Sequence, residues 1–308
     1  MKRLYYFCFL ACLAIIGLHC QKELSFSSTS NDYSTLHEFF EKNQPRTEAM
    51  VVNSSNQFTL ESRRGTKFIF QANSFETLDG QPVTGTIFFE VKEIFNPSEM
   101  ILTRTFPMSN GQPLESGGEF MIKPTNQNGQ QLKLKPGYLM KIKLPSLGIG
   151  MDNMRVFNGQ PNAGGSDSKV NWVVNSNPNN TVFADSLVQG RYLFADSVNW
   201  INCDRFLNEP RINYAVYPGN VTGFDSVSVF IHFSGRNSVV AIPWHNTESR
   251  FYSQSVIVSP ATVIGIGIKD HKLQASFTTV NLQNNGSQTL DFLPFTEIQL
   301  KERLAQLH

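Results

Sequence analysis

The chain has 308 residues, of which 40% are hydrophobic and 17% charged, and its formal net charge is +1. A nearly neutral chain offers no positive field to gather phosphates, which disfavours nucleic-acid binding. Phe occurs 25 times while charged residues are sparse, a balance that favours β-strands over charged helices. Because a sandwich domain has about 100 residues, we expect an all-β protein with two antiparallel β-sandwich domains and short N- and C-terminal amphipathic helices.

The N-terminus has the pattern of a secretion signal. Positively charged Lys2 and Arg3 precede an apolar run over residues 4–18. A spanning helix needs about 20 apolar residues, so this run suits a secretory signal better than a membrane span. We assign residues 1–19 to a signal peptide and expect the protein to be exported.

Cys20 stands directly after the apolar run, where a lipoprotein signal presents the cysteine that is acylated, for example with palmitate. An ordinary signal peptide followed by an incidental cysteine is the alternative. A polar tether rich in Ser and Thr follows, which lets an anchored domain stand off the membrane. We therefore expect an outer-membrane lipoprotein of the cell envelope, held by Cys20 and either periplasmic or surface-exposed.

The tether leads into a short predicted helix, so residues 20–48 form a tether-and-helix segment. Leu36, Phe39 and Phe40 have helical spacing over residues 32–42, with Asn31 or Ser34 available as a cap. Strand patterns then fill residues 49–145, as in the alternation of Met140, Ile142 and Leu144 with lysines. We predict a β-sandwich there, with a turn at 96–99 and a strand at 101–106.

Residues 67–144 carry motifs of a known protein family. These read Ala-Asn-Ser-Phe at 72–75, Gly-Gln-Pro-Val-Thr-Gly at 80–85, Leu-Glu-Ser-Gly-Gly-Glu-Phe at 114–120 and Leu-Lys-Pro-Gly at 134–137. This stretch resembles uncharacterised Bacteroidota lipoproteins and is more distantly similar to the ZU-type β-sandwich of netrin receptors and ankyrins. The block at 199–206 also resembles a downstream segment of those lipoproteins. The resemblance implies a ZU-like β-sandwich at 49–145, and it implies architecture more than activity.

The second half of the chain predicts a further sandwich. Glycines cluster and strand alternation lapses over residues 146–168, which we assign to a linker. Short strand patterns with Gly, Pro or Asn breaks return over 169–290 and predict the second β-sandwich, with Trp200 and Phe206 in its core. Residues 291–308 contain Leu300 and Leu304 at helical spacing and predict a C-terminal helix that docks on a domain.

Candidate catalytic groups are few. Beyond the signal and Cys20 the only cysteine is Cys203, and the adjacent Asp204 disfavours its thiolate. An enzyme site is still conceivable if Trp200, Cys203, Asp204 and Arg205 gather in one pocket, although a buried structural cysteine is favoured. The histidines lack metal-site spacing. We expect no enzyme activity, no metal and no cofactor.

The tripeptide His232-Phe233-Ser234 is a second candidate, because ZU-type scaffolds and related proteins include members that cleave themselves between Phe and Ser. Such cleavage needs a strained Phe-Ser bond, attack by the Ser hydroxyl on the preceding carbonyl, and a His to take the proton. Residues 227–233 read as a regular strand, which holds that bond near planarity. We therefore expect an intact chain.

Three functions compete. The favoured one is a lipid-anchored module that binds an unknown protein or glycan, which predicts exposed aromatic patches and no convergent cluster of titratable side chains. We expect no nucleic-acid partner. The alternatives are an unrecognised enzyme near Cys203 and a scaffold that cleaves itself at Phe233-Ser234.

Three Asp-Ser-aliphatic triplets, at 185–187, 196–198 and 225–227, resemble O-glycosylation acceptors and also read as ordinary turns entering strands.

Overall fold

The computed structural model describes residues 32–145, 150–162, 168–185 and 190–308. The predicted signal peptide and Cys20 lie outside these residues. Within them the fold is all-β, as predicted, with several antiparallel sheets and three short helices.

Sheet 1 and sheet 2 form the first sandwich. Sheet 1 contains, in spatial order, β1 (Glu48–Asn53), β6 (Thr86–Ile94), β8 (Gln112–Thr125), β15 (Asn199–Phe206), β11 (Arg155–Pro161) and β12 (Val170–Val174), with β7 (Met108–Ser109) paired to β8. Sheet 2 contains β13 (Val182–Asp185), β14 (Gly190–Ala195), β10 (Met140–Leu144), β3 (Lys67–Phe70) and β2 (Phe58–Glu61). A small third layer contains β5 (Pro82–Val83), β4 (Phe75–Thr77) and β9 (Leu132–Leu134).

Phenylalanines fill the space between sheets 1 and 2. Phe70 of β3 packs on Phe89 of β6 at a centroid distance of 5.4 Å, and Phe68 packs edge-on against Phe120 of β8 at 5.8 Å. All four side chains are buried. Burying one such side chain contributes about 1.5–3 kcal/mol, so this cluster explains the chain's high Phe content.

The strand pairing corrects the predicted division at 146–168. Strand β11 lies inside the predicted linker and pairs with β15, while β14 pairs with β10 of the first sandwich. Strands up to Phe206 therefore belong to the first sandwich, and Trp200 and Phe206 lie on its sheet 1. Asn158-Gly159-Gln160 interrupts the apolar alternation of β11, so alternation does not predict this strand.

Sheet 3 and sheet 4 form the second sandwich. Sheet 3 contains β19 (Trp244–His245), β20 (Arg250–Ile257), β16 (Arg211–Tyr217) and β23 (Gly286–Thr289), where β23 runs parallel to β16. Sheet 4 contains β18 (Val239–Ile242), β17 (Phe224–Phe233), β21 (Pro260–Lys269), β22 (Lys272–Asn281) and β24 (Leu293–Pro294). A 3-10 turn at Asn246–Glu248 joins β19 to β20.

Three helices cover the outer face of sheet 4. They are α1 (Leu36–Asn43), α2 (Pro97–Thr103) and α3 (Glu297–Ala305). Phe40 of α1 packs edge-on against Phe230 of β17 at 6.2 Å, and Leu300 and Leu304 of α3 are buried in the same cluster. Sheet 4 is thus buried on both faces, which matches the continuous burial of Val229–Phe233 in β17 and of Val263–Ile268 in β21. The predicted docking of the C-terminal helix is confirmed.

Helix α2 replaces the predicted turn at 96–99 and strand at 101–106. The Asn96 side chain accepts a hydrogen bond from Glu99 N at 3.0 Å, Pro97 occupies the first helical turn, and Arg104 ends the helix with a left-handed φ of 56°. An Asn N-cap followed by Pro is a strong helix start. The apolar residues of 100–102 then point into the helical layer. The N-cap of α1 also differs from the prediction, because it is Thr35 and neither Asn31 nor Ser34.

The two sandwiches are joined by polar contacts as well as by the helices. Asn237, in the turn after β17, donates from Nδ2 to the carbonyl oxygens of Phe95 (3.0 Å) and Ser116 (2.7 Å). Ser116 N donates back to Asn237 O at 2.9 Å. Residues Asp32–His308 accordingly form one compact unit.

Candidate functional site

The residues around Cys203 do not form a shared pocket. Cys203 is fully buried in the apolar core of the first sandwich, and burial raises the pKa of its thiol. Trp200 packs edge-on against Trp172 at 6.1 Å, and Arg205 pairs with Glu115. A thiol that is buried and protonated is a poor nucleophile. The geometry therefore supports a structural role for Cys203.

Asp204 belongs to a buried polar cluster. Ser116 Oγ donates to Asn202 Oδ1 at 3.0 Å, and Asn202 donates from Nδ2 to Asp204. Glu119 is fully buried, and neither of its carboxyl oxygens has a hydrogen-bond partner among the described residues. Burial, and then the charge of Asp204, raise the pKa of Glu119 well above its usual value. The described structure leaves these groups no contact with solvent, so they are not a site for a dissolved ligand.

His232 and Ser234 are also kept apart. His232 is buried on β17, and its Nε2 lies 3.1 Å from the carbonyl oxygen of Arg236, so Nε2 carries the donated hydrogen. Burial lowers the pKa of His232 to about 4. Ser234 is exposed, and no hydrogen bond joins it to His232 in the described chain. The structure thus does not assemble the two side chains that the cleavage reaction needs.

The Phe233-Ser234 bond lies at the start of a hydrogen-bonded turn. Arg236 N donates to Phe233 O at 3.0 Å, and Gly235 takes the positive φ of 72° that the turn requires. Neither Phe233 nor Ser234 has a positive φ.

We expect the purified wild-type protein to run as one band on a denaturing gel, like Ser234→Ala. Two wild-type fragments beside an intact serine variant would contradict this expectation.

An aromatic-walled cleft of about 500 Å³ lies in the second sandwich. We call it the aromatic pocket. Its apolar walls come from β17, from β19 and β20, and from the loop after β16: Pro218, Val221, Phe224, Val227, Trp244 and Phe251. Asp225 supplies an exposed polar side chain, and Ser226 also lines the cleft although its Oγ is buried. Pockets that hold small ligands have about 300–1,000 Å³ and combine apolar walls with a few polar groups, and this cleft has both properties.

Trp244 is the most accessible aromatic surface of the aromatic pocket. Its side chain is 42% exposed, although a tryptophan normally gains free energy from burial. The indole contacts buried Phe251 edge-on at a centroid distance of 4.9 Å, because the two residues are paired across β19 and β20. The ring is therefore held in place by the sheet while part of its surface remains open to a ligand.

Phe224 and Asp225 also line the aromatic pocket. Phe224 packs edge-on against Phe292 at 5.1 Å, and the register of β17 against β21 shifts between Phe224 and Ser226. Such a bulge redirects side chains at the end of a strand. Asp225 is exposed and its carboxylate is available to accept hydrogen bonds. The aromatic pocket thus places an acceptor next to aromatic walls.

No local pattern predicts the aromatic pocket. Its one mark in the sequence is the lone tryptophan in Pro243-Trp244-His245, between two strand patterns.

Of the three Asp-Ser-aliphatic triplets, 225–227 lies within β17 and its Ser226 Oγ is buried. In the triplet at 196–198, Ser197 donates to Asn158 Oδ1 at 3.0 Å. Ser186 lies outside the described residues.

No metal centre or membrane span emerges from the described residues. Within them, no three His, Cys, Asp or Glu side chains are grouped as ligands for a metal ion. None of the described helices has both the length and the apolar character needed to cross a membrane.

A scan against protein-family models and a search of curated proteins each returned no match to this chain.

Proposed function

We propose that this protein is an exported, lipid-anchored binding module of the cell envelope. The signal pattern at 1–19 and the position of Cys20 support the anchor, and the resemblance of residues 67–144 to Bacteroidota lipoproteins agrees with it. Among the described residues, no catalytic side chains converge in either sandwich, which favours binding over catalysis.

The observation that carries the binding proposal is the exposed Trp244 ring in the wall of the aromatic pocket. The face of an aromatic ring is electronegative and attracts partial positive charge. The C–H groups of a sugar ring supply such charge, while the Asp225 carboxylate accepts hydrogen bonds from hydroxyl groups. We therefore assign a saccharide to the aromatic pocket.

The size of the aromatic pocket favours a saccharide over a protein. A stable protein interface buries about 800 Å² on each partner, whereas this cleft of about 500 Å³ matches a small ligand. A protein partner inserting one side chain is the second candidate. Such a side chain would contact the same apolar walls, but it would not need the hydrogen bonds that Asp225 accepts from hydroxyl groups.

The test is a glycan array probed with the full-length protein purified in detergent. Wild type should bind a defined set of glycans, and Trp244→Ala and Asp225→Asn should each reduce binding about tenfold or more, as expected for a loss of 1.4 kcal/mol. Phe183→Ala is the matched control, because Phe183 is 38% exposed on the first sandwich. Absence of glycan binding, or equal loss in the Phe183 variant, would reject the assignment.

The anchor has its own test. Cys20→Ser removes the thiol that would carry the acyl chains, so the variant should leave the membrane fraction for the soluble fraction after cell lysis. Cys203→Ser is the control and should partition like wild type, since Cys203 is buried in the first sandwich. Unchanged partitioning of Cys20→Ser would contradict the lipid anchor.

A further inference from the structure

A second cleft, of about 710 Å³, lies beside the first sandwich and is distinct from the aromatic pocket. Three arginines line it: Arg155 on β11, Arg205 on β15 and Arg236 in the turn after β17. We call it the arginine cleft. Because Arg236 comes from the second sandwich and the other two from the first, the cleft is complete only where the sandwiches meet.

Two of the guanidinium groups are held by carboxylates. Arg205 donates from Nε (2.9 Å) and Nη2 (2.7 Å) to Glu115 Oε2, whose side chain is only 7% exposed. Arg236 donates from Nη1 to the same oxygen at 3.3 Å and from Nη2 to Glu209 Oε1 at 2.6 Å. A nearly buried carboxylate thus fixes two cations side by side before any ligand arrives, which lowers the entropy cost of binding.

The charges lining the arginine cleft do not cancel. Three arginines and one carboxylate, Glu209, line the cleft. Glu115 is not a lining residue but pairs with Arg205 and Arg236, so counting both carboxylates leaves one positive charge. Arg155 is exposed and makes no ion pair within the described ranges. Its guanidinium therefore has all five N–H donors available, while Arg205 and Arg236 add nearby positive charge.

Guanidinium groups bind carboxylates and phosphates through paired hydrogen bonds. A single uncompensated charge matches a monoanionic carboxylate better than a doubly charged phosphate. Asn153 and Asn208 add amide donors and acceptors to the walls, and the half-buried ring of Phe206 adds an apolar surface. We propose that the arginine cleft is a second binding site, for the carboxylate of an acidic sugar such as a hexuronate.

The experiment is calorimetric titration of the full-length protein in detergent with sodium glucuronate, glucose and inorganic phosphate. Glucuronate should bind, glucose should bind at least tenfold more weakly, and added salt should weaken glucuronate binding. Arg155→Gln should weaken it about tenfold. Arg63→Gln, an exposed arginine in the turn between β2 and β3, should leave it unchanged.

Trp244→Ala separates this proposal from the saccharide assignment of the aromatic pocket. Glucuronate binding that survives Trp244→Ala and fails in Arg155→Gln supports the arginine cleft, whatever the aromatic pocket binds. Binding that is equal for glucose and glucuronate, tighter for phosphate, unchanged in Arg155→Gln or lost in Trp244→Ala would overturn it.

Discussion

Replacing Trp172 with alanine should lower the free energy of unfolding by about 3–5 kcal/mol, the usual cost of removing a large aromatic ring from a core. Trp172 on β12 is fully buried, and its Nε1 donates to the carbonyl oxygen of Phe106 at 3.1 Å. Its ring also lies over Gly159, its partner on β11, where an added Cβ would come within 3.0 Å. The variant would lose the packing, and the Phe106 oxygen would lose one of its two donors and keep Met108 N at 2.8 Å.

Chemical denaturation of the purified variants measures this effect. Trp200→Ala should also destabilise the protein, but less, because Trp200 is only half-buried beside Trp172. Trp244→Ala is the exposed control and should change stability least. A Trp172 variant as stable as the Trp244 variant would show that β11 and β12 are not anchored on sheet 1 as described.

Glu119→Gln should stabilise the protein at pH 7 and change little near pH 4. Burial raises the pKa of Glu119 well above 4.5 in the folded chain, while the unfolded chain titrates near the usual value. As pH rises above about 4.5, only the unfolded state loses its proton, so this group lowers stability with rising pH. The amide does not titrate, so the variant lacks this loss of stability with rising pH.

The measurement is the difference in unfolding free energy between Glu119→Gln and wild type from pH 4 to pH 8. Other charges face this group, chiefly Asp204 and Glu99, and they are common to both proteins. His232 acts in the opposite direction, because its pKa of about 4 makes stability rise with pH up to about 6.5. That contribution cancels in the difference. A difference that does not grow with pH would contradict a protonated, buried Glu119.

Apolar alternation predicts a strand best where one face of the strand is buried. The predicted alternation of Met140, Ile142 and Leu144 coincides with β10, whose buried and half-buried residues alternate. Alternation fails at 101–106, because Met100, Ile101 and Leu102 are all buried and a short apolar run fits a helix or a strand. The N-cap at Asn96, followed by Pro97 in the first turn, favours the helix. The division between sandwiches was misplaced because strand partners such as β10 and β14 are chosen by tertiary packing, which local alternation does not encode.

The binding features were harder to predict than the fold. Cys203, His232 and Ser234 stood out because their side chains are reactive, yet the fold buries the first two and leaves Ser234 without a catalytic partner. The sequence does not mark Trp244 as a binding residue, because an isolated aromatic residue has no periodicity. Its exposure depends on β19 ending after two residues at the edge of sheet 3. The arginine cleft joins residues up to 83 positions apart (153 to 236), so no local motif marks it.

The most direct test of the binding account is the intrinsic fluorescence of Trp244 during titration with a glycan selected on the array. Trp172 is fully buried and Trp200 half-buried, so a contact in the aromatic pocket should alter chiefly the emission of Trp244. We predict a saturable change in intensity or wavelength that is absent in Trp244→Phe and present in Phe183→Ala. A saturable change that persists in Trp244→Phe would contradict binding at the aromatic pocket.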